Sequence, residues 1–391
     1  MLFKLYCRIY QFVLKHSSKL LPWRQPVIID KVAPILKSHN TLSVLLVTDY
    51  NIYNLGLTKP LEKELDTSNI NYTIYQRTVQ NPSIENVEEA LALYNKNDCT
   101  AIIAIGGGSP IDCAKAVGAR ITHPKKQIIK MAGVFKVRKK LPLLIAIPTT
   151  AGTGSETTLA AVITDSTSHR KFAINDLSLI PHYTVLDPEL TVSLPKSITA
   201  QTGMDALTHA IEAYIGRSNT KQTIKDAETA FRLIKDNLFL AYENGNDIAA
   251  RKDMLLASYY AGRAFTRAYV GNVHAIAHTL SGFYQVPHGF ANAVLLPVVL
   301  EYYLAKRKKA ISKKLGNIAK IIGAGDDAGS LVIYIQRLNA KMNIPKTIQG
   351  IKDEDLPEMI KNAMKEANPL YPVPEIFSKT DFRNILMAVK E

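Results

Sequence analysis

The chain has 391 residues, enough for two cores of roughly 150 to 200 residues each. Hydrophobic residues make up 47% and Gly and Pro stand at 20 and 19, which excludes a disordered, collagen-like or disulfide-scaffold protein. A net charge of +14 suits an anionic partner, but a dinucleotide, a nucleic acid and a membrane surface all qualify.

Residues 1–24 form a basic extension. Leu2, Leu5, Tyr6, Ile9, Tyr10, Phe12 and Val13 recur at helical spacing, with Lys4, Arg8, Lys15, Lys19 and Arg24 between them and no acidic residue before Asp30. This predicts an amphipathic helix. It lacks the ~18 consecutive apolar residues of a spanning segment and shows no signal-peptide cleavage site. Docking on the protein's own surface or on a sister subunit is the simpler expectation, and reversible contact with a membrane surface is the other.

From about Thr41 to Pro188, short apolar runs alternate with helical patterns, as in an α/β domain with a parallel sheet. Ser43 to Thr48, Thr100 to Ile105 and Leu143 to Ile147 are apolar on both faces, which predicts strands covered on both sides. Cys7, Cys99 and Cys113 form neither a CxxC pair nor a ligand cluster, so free thiols and a reducing, cytoplasmic setting are expected. Two basic runs, Arg138 to Lys140 and Lys306 to Lys314, carry no interleaved aromatics for base stacking and read as solvated surface, without nucleic-acid binding.

Two turns leave these strands. Gly106-Gly107-Gly108-Ser109-Pro110-Ile111-Asp112 follows a strand and opens a helix, with Ser109 expected as N-cap and Pro110 at the first helical position. Glycines there let backbone N–H groups approach a pyrophosphate, although an ordinary strand-to-helix turn would look the same and GxGxxG is not matched. Pro148 to Glu156 adds hydroxyls and further backbone donors after the third run. Asp49 is placed either to accept from an adenosine ribose, favouring NAD over NADP, or to cap the next helix.

Beyond Leu194-Pro195 the pattern turns helical, in Ala200 to Tyr214, Thr223 to Leu240 and Arg251 to Ala268, which predicts a boundary near Ser193. The expected organisation is thus 1–24, a dinucleotide-binding domain over 25–193, and a helical metal-binding and substrate domain over 194–391. Four histidines fall in this half. Asp205 and His209 are four apart, as are His274 and His278, so each pair shares a helix face, and His288 follows in a Pro-His-Gly turn. A carboxylate with imidazoles suits a divalent transition ion, and spacing leaves Fe2+, Zn2+, Mn2+ and Co2+ open.

GGGSPID at 106–112, PTTAGTGSE at 148–156, GMDALTHAIEAY at 203–214 and HAIAHTLSGFYQVPHG at 274–289 occur in this order. With these motifs the chain resembles the iron-containing (group III) alcohol dehydrogenases over roughly residues 30 to 390. The resemblance implies a Rossmann-like parallel sheet followed by an all-α domain, in a dehydroquinate-synthase-like architecture. It implies metal ligation by Asp205, His209, His274 and His288, with His278 as proton-relay partner rather than ligand. For NAD it implies Asp49, Asn81, Gly107, Gly108, Ser109, Asp112, Thr149, Thr150, Thr153 and Lys171. The stretch Val27 to Val32 departs from the family in lacking a glycine turn before the first strand.

The implied activity is hydride transfer between a primary alcohol or aldehyde and NAD(H) by a homo-oligomer using Fe2+ or another divalent ion such as Zn2+. Alternatives are a glycerol-type polyol dehydrogenase, whose zinc site has three ligands, a lyase of the dehydroquinate-synthase type, and a silent NAD-binding scaffold. The lyase is disfavoured because its basic phosphate- and carboxylate-binding residues have no evident counterpart in this chain.

Overall fold

A computed structural model describes residues 2–167, 170–306 and 309–391. His169, next to the expected cofactor residue Lys171, and Arg307 and Lys308 of the second basic run lie outside the described residues. The chain divides into two compact units, one of Pro22–Thr191 and one joining Met1–Leu21 to Val192–Glu391.

The first unit is α/β. Its strands are β1 (Val27–Ile28), β2 (Ser43–Val47), β3 (Asn71–Tyr75), β4 (Ala101–Gly106), β5 (Gly133–Val134), β6 (Leu143–Pro148), β7 (Ala160–Asp165), β8 (Arg170–Asn175) and β9 (Tyr183–Thr184). Among the described residues six of them form one parallel sheet in the order β1-β9-β6-β4-β2-β3. Successive residues of the central strands enter opposite cores. Leu45, Val47, Ile102, Ala104, Leu144 and Ala146 pack with Val87 and Ala90 of α5 (Ile84–Lys96) and Val117 of α6 (Gly108–Thr122). Val44, Leu46, Ile103, Ile105, Ile145 and Ile147 pack with Leu36, Leu61 and Leu65 on the other side. Burial on both faces is why these strands read as unbroken apolar runs rather than as alternation. A smaller sheet, β5-β8-β7, includes the antiparallel pair β7 and β8, which the apolar-run reading did not anticipate. Val162, in the middle of β7, is exposed and breaks the run.

In the main sheet Gly106 at the end of β4 is paired with Pro148 at the end of β6, so the two polar turns leave the sheet side by side. The helix after β4 starts earlier than the sequence suggested. Gly107 is its N-cap, α6 begins at Gly108, and neither Ser109 nor Pro110 holds the capping or first helical position expected of it. The cause is Gly106, whose φ of +151° reverses the chain in one residue. No side chain caps α6, so its first amides keep their donors free of intrahelical and capping partners.

The second unit is helical: α7 (Lys196–Ile215), α8 (Lys221–Glu243), α9 (Ile248–Ala268), α10 (Asn272–Tyr284), α11 (His288–Ala305), α12 (Lys309–Ile321), α13 (Ala328–Lys341), α14 (Leu356–Ala367) and α15 (Lys379–Val389). The three helical stretches read from sequence fall within α7, α8 and α9. Helix α7 is buried almost all round among α8, α9 and α11, which is why it carries no clear polar stripe.

The extension folds as α1 (Leu2–Ser17) and packs within this unit, with an unexpected face inward. Lys4, Cys7, Arg8 and Gln11, one helical stripe, meet residues 371–376. Arg8 donates to the carbonyls of Val373 and Pro374 at 2.7 and 2.9 Å, and Gln11 donates to that of Tyr371 at 2.8 Å. Cys7 is enclosed by Val373 and Ile376. The apolar stripe points the other way. Cys7, Cys99 and Cys113 are free and buried. Among the described residues no helix is long and apolar enough to cross a membrane.

Gly106→Ala tests the turn. A Cβ there would lie 2.6 Å from Pro110 Cγ at a φ that L-residues rarely adopt. The expected loss is about 2–3 kcal/mol in denaturant unfolding of the sheet unit. An unchanged midpoint would contradict the strained turn.

Candidate metal centre and cofactor turns

The metal-type residues come from three helices of the second unit. Asp205 and His209 lie one turn apart on α7, His274 and His278 one turn apart on α10, and His288 opens α11. Asp205 Oδ1 is the hub. It lies 3.6 Å from Nε2 of both His274 and His288, and 3.9 Å from Nδ1 of His209. Ligand atoms of Asp205, His209 and His274 all fall within 4.8 Å of one another, and the three residues are buried. An ion with bonds of ~2.0–2.2 Å in tetrahedral coordination needs ligand separations of about 3.3–3.6 Å, so the three separations from Asp205 Oδ1 lie close to what a divalent ion requires.

Outer contacts fix these rings. Glu212, on α7, accepts from His274 Nδ1 at 2.6 Å and from the backbone N–H groups of Gly271 and Val273 at 2.7 and 2.8 Å. That leaves Nε2 of His274 directed at Asp205 and free to ligate. Asn292, one turn after His288 on α11, donates through Nδ2 to Asp205 Oδ1 at 2.7 Å and lies 3.2 and 3.1 Å from Nε2 of His274 and His288. Phe265 stacks on His209 with ring centroids 4.0 Å apart.

Charge follows from this packing. Burial opposes ionisation of Asp205, but the His209 and His288 rings and the His274 hydrogen bond outweigh it and hold the carboxyl well below the usual range. Burial also disfavours protonated His274, yet its bonds to Asp205 and Glu212 prevail and lift it to about 9. Burial dominates at His288 and pushes it well below its ordinary value. Without an ion, a proton on His274 supplies the positive charge that the carboxylates demand.

His278 stands apart from the hub. Its ring stacks on His288 at 4.9 Å, and its Nδ1 meets Glu366 Oε1 at 2.5 Å. Tyr371 donates to the same oxygen at 2.7 Å.

In the first unit, Thr149 N donates to Gly106 O at 3.0 Å, which locks the two turns together. A Cβ on Gly108 would lie 3.3 Å from Thr153 Cγ2. The Thr149 and Thr150 hydroxyls are buried without a partner among the described residues. Free helix amides beside unpaired hydroxyls form a cradle that suits a pyrophosphate. Asn81 donates its N–H to Ser109 Oγ at 3.2 Å and accepts from Lys171 Nζ at 2.9 Å, so these three residues form one cluster. Asp49 caps the next helix, α3 (Tyr50–Asn54), through one oxygen, with Ile52 N at 2.9 Å. Asp112 has both oxygens engaged within the chain, by Ser155 Oγ at 2.5 Å and Val162 N at 3.0 Å, and so ties α6 to the polar turn and to β7.

Comparison with known proteins agrees in both units. The profile of iron-containing alcohol dehydrogenases matches residues 25–188, and that of the Fe-containing alcohol dehydrogenase family, C-terminal, matches 199–389. The chain belongs to the iron-containing alcohol dehydrogenases. Alcohol dehydrogenase 4 of Saccharomyces cerevisiae is 39% identical over 87% of this chain and 89% of its own length. The 1,3-propanediol dehydrogenase of Klebsiella pneumoniae is 38% identical over 83% and 85%. The crystal structure of a 1,3-propanediol oxidoreductase superposes with a TM-score of 0.88 at 34% identity, covering 93% of this chain and 98% of that one. The iron-containing alcohol dehydrogenase fold is thus a parallel-sheet unit followed by a helical one, as the motifs implied.

Sequence reasoning passed over Glu212, Asn292 and Glu366. Glu212 and Asn292 follow His209 and His288 at helical spacing, and Glu212 lies within the 203–214 motif, whereas Asn292 falls just beyond the one that ends at Gly289. Glu366 lies 88 positions from His278 and gave none.

An ion bound between Asp205, His209 and His274 would have to displace the proton on His274. Apparent Zn2+ affinity, measured against a competing chelator, is therefore expected to rise about tenfold per pH unit from pH 6 to about 9 and then level. Glu212→Gln removes one cause of the raised value, so the slope should flatten below pH 9 while affinity drops about 10–100-fold. A pH-independent affinity would contradict this electrostatic arrangement.

Proposed function

We propose that the protein interconverts a primary alcohol and its aldehyde, passing hydride to or from NAD, with a divalent ion held by Asp205, His209, His274 and His288. Fe2+ is the favoured ion, and Zn2+ is the main competitor. The reading rests above all on one observation, the convergence of three imidazoles on a single buried carboxylate oxygen. Family membership and the similarity to alcohol and propanediol dehydrogenases point the same way.

When bound, the ion supplies Lewis acidity to an alcohol or carbonyl oxygen, and the nicotinamide supplies the hydride acceptor or donor. The chain does the rest. Asp205 stays ionised, so the site carries a fixed negative charge for a cation. Glu212 orients His274, and Asn292 holds Asp205 against His288. His278 is positioned by Glu366 through Nδ1, which leaves Nε2 to take the hydroxyl proton as the alcohol is oxidised and to return it in reduction. Gly107, Gly108 and Ser109 present the first amides of α6 to the pyrophosphate, with Thr149, Thr150 and Thr153 beside them. Asp49, with one oxygen on its helix cap, keeps the other for a ribose hydroxyl, which disfavours a 2′-phosphate. Three free buried thiols accord with a cytoplasmic setting.

Anaerobic purification should yield about one divalent ion per chain, and a panel of alcohols and aldehydes should show NAD-linked turnover. His274→Ala should lose both the ion and turnover. A protein with neither stoichiometric metal nor hydride transfer would overturn the reading. Asp49→Gly should improve kcat/KM with NADP about tenfold relative to NAD, and an unchanged ratio would remove the role given to Asp49.

A further inference from the structure

Helix α1 is mounted with its polar stripe inward. An amphipathic helix that serves only its own fold buries the apolar stripe and exposes the charged one. Here Arg8 and Gln11 are used on backbone carbonyls of 371–374, and Lys4 bridges to Glu375 at 3.2 Å. The opposite half of the helix, Leu2, Leu5, Tyr6, Ile9, Phe12 and Val13, is solvent-exposed, with Phe12 at 63% and Leu2 at 84%. Contiguous apolar surface of this kind marks a contact made outside the fold.

Its charge selects the partner. Residues 1–29 contain Lys4, Arg8, Lys15, Lys19 and Arg24 and no carboxylate. Arg8, Arg24 and Lys314 are committed to backbone carbonyls, whereas Lys4 and Lys15 on the helix and the exposed Arg217, within electrostatic reach of Arg8, keep positive charge beside its outward face. A second copy docking across a two-fold axis would set these cations against their own kind, with no carboxylate on the helix to meet them. An interfacial helix on anionic lipid needs the combination present here: aromatic and aliphatic side chains on one broad face, with cations and no carboxylate of the helix beside it.

We propose that the outward face of α1 seats the protein on a membrane surface rich in anionic lipid. The helix lies in the interface plane, with Leu5, Ile9 and Phe12 among the acyl chains and the cations at headgroup level. It does not cross the bilayer.

The test uses the full-length protein and sedimentable vesicles of phosphatidylcholine, alone or mixed equally with phosphatidylglycerol. The protein should sediment at least about tenfold more with the anionic vesicles, and about 0.5 M salt should release most of it. Combining Ile9→Asp with Phe12→Asp changes only exposed side chains, so circular dichroism and metal content should match the parent while anionic-vesicle binding falls about tenfold or more. Light scattering without lipid should give the same mass for both proteins. Equal sedimentation of parent and variant, or no sedimentation of the parent, would overturn the proposal. A parent of larger mass than the variant without lipid would also overturn it, because the face would then join two copies.

Discussion

The second unit is organised around one buried carboxylate. Glu212 takes two backbone N–H groups and an imidazole N–H, so it fixes at once the start of α10, the orientation of His274 and the spacing of α10 from α7. A Cβ on Gly271 would lie 2.6 Å from Glu212 Oε1, so the approach depends on glycine at that position. An unpaired carboxylate in this setting would be costly, and its three donors make it tolerable. Asp205, about two turns earlier on the same helix, can then act as the common acceptor of the cluster because the rings around it are already held.

The sheet unit solves a different problem with the same economy. Its cradle needs free amides, and amides at a helix start are normally capped by a side chain. Here Gly106 turns the chain so sharply that the helix begins with only Gly107 as its cap. Asp112 and Lys115 stabilise that arrangement within the chain. Lys115 is fully buried and bonds to Thr158 Oγ1 and to the carbonyls of Thr158 and Ala160, and burial pushes it down to about 8 despite Asp112 nearby. The residues that form the cradle and those that shape its turn are thus interleaved in one short motif.

Much of this was legible in the sequence for physical reasons. Strands β2, β4 and β6 are covered on both faces, and Asp205 and His209 repeat at one helical turn, so both leave strong local patterns. Two-residue strands such as β1, β5 and β9 leave none, because two residues cannot show a period. The cap of α6 was misplaced by two positions because a backbone angle available to glycine, and not a side chain, decides where that helix starts. Asp49 remained ambiguous because its carboxylate has two oxygens, and the structure commits one of them to the cap. Glu366 was invisible because its partner is distant in sequence and glutamate on a helix usually faces water.

Segment 371–375 joins two otherwise separate features. Tyr371 accepts from Gln11 of α1 through its carbonyl and donates through its hydroxyl to the Glu366 that holds His278. Glu375 pairs with Lys4 through its side chain, while its carbonyl accepts from Asn272 at the head of α10, two residues before His274. Helix α1 and the cluster of imidazoles around Asp205 are therefore mechanically in series, joined through a strap of five residues.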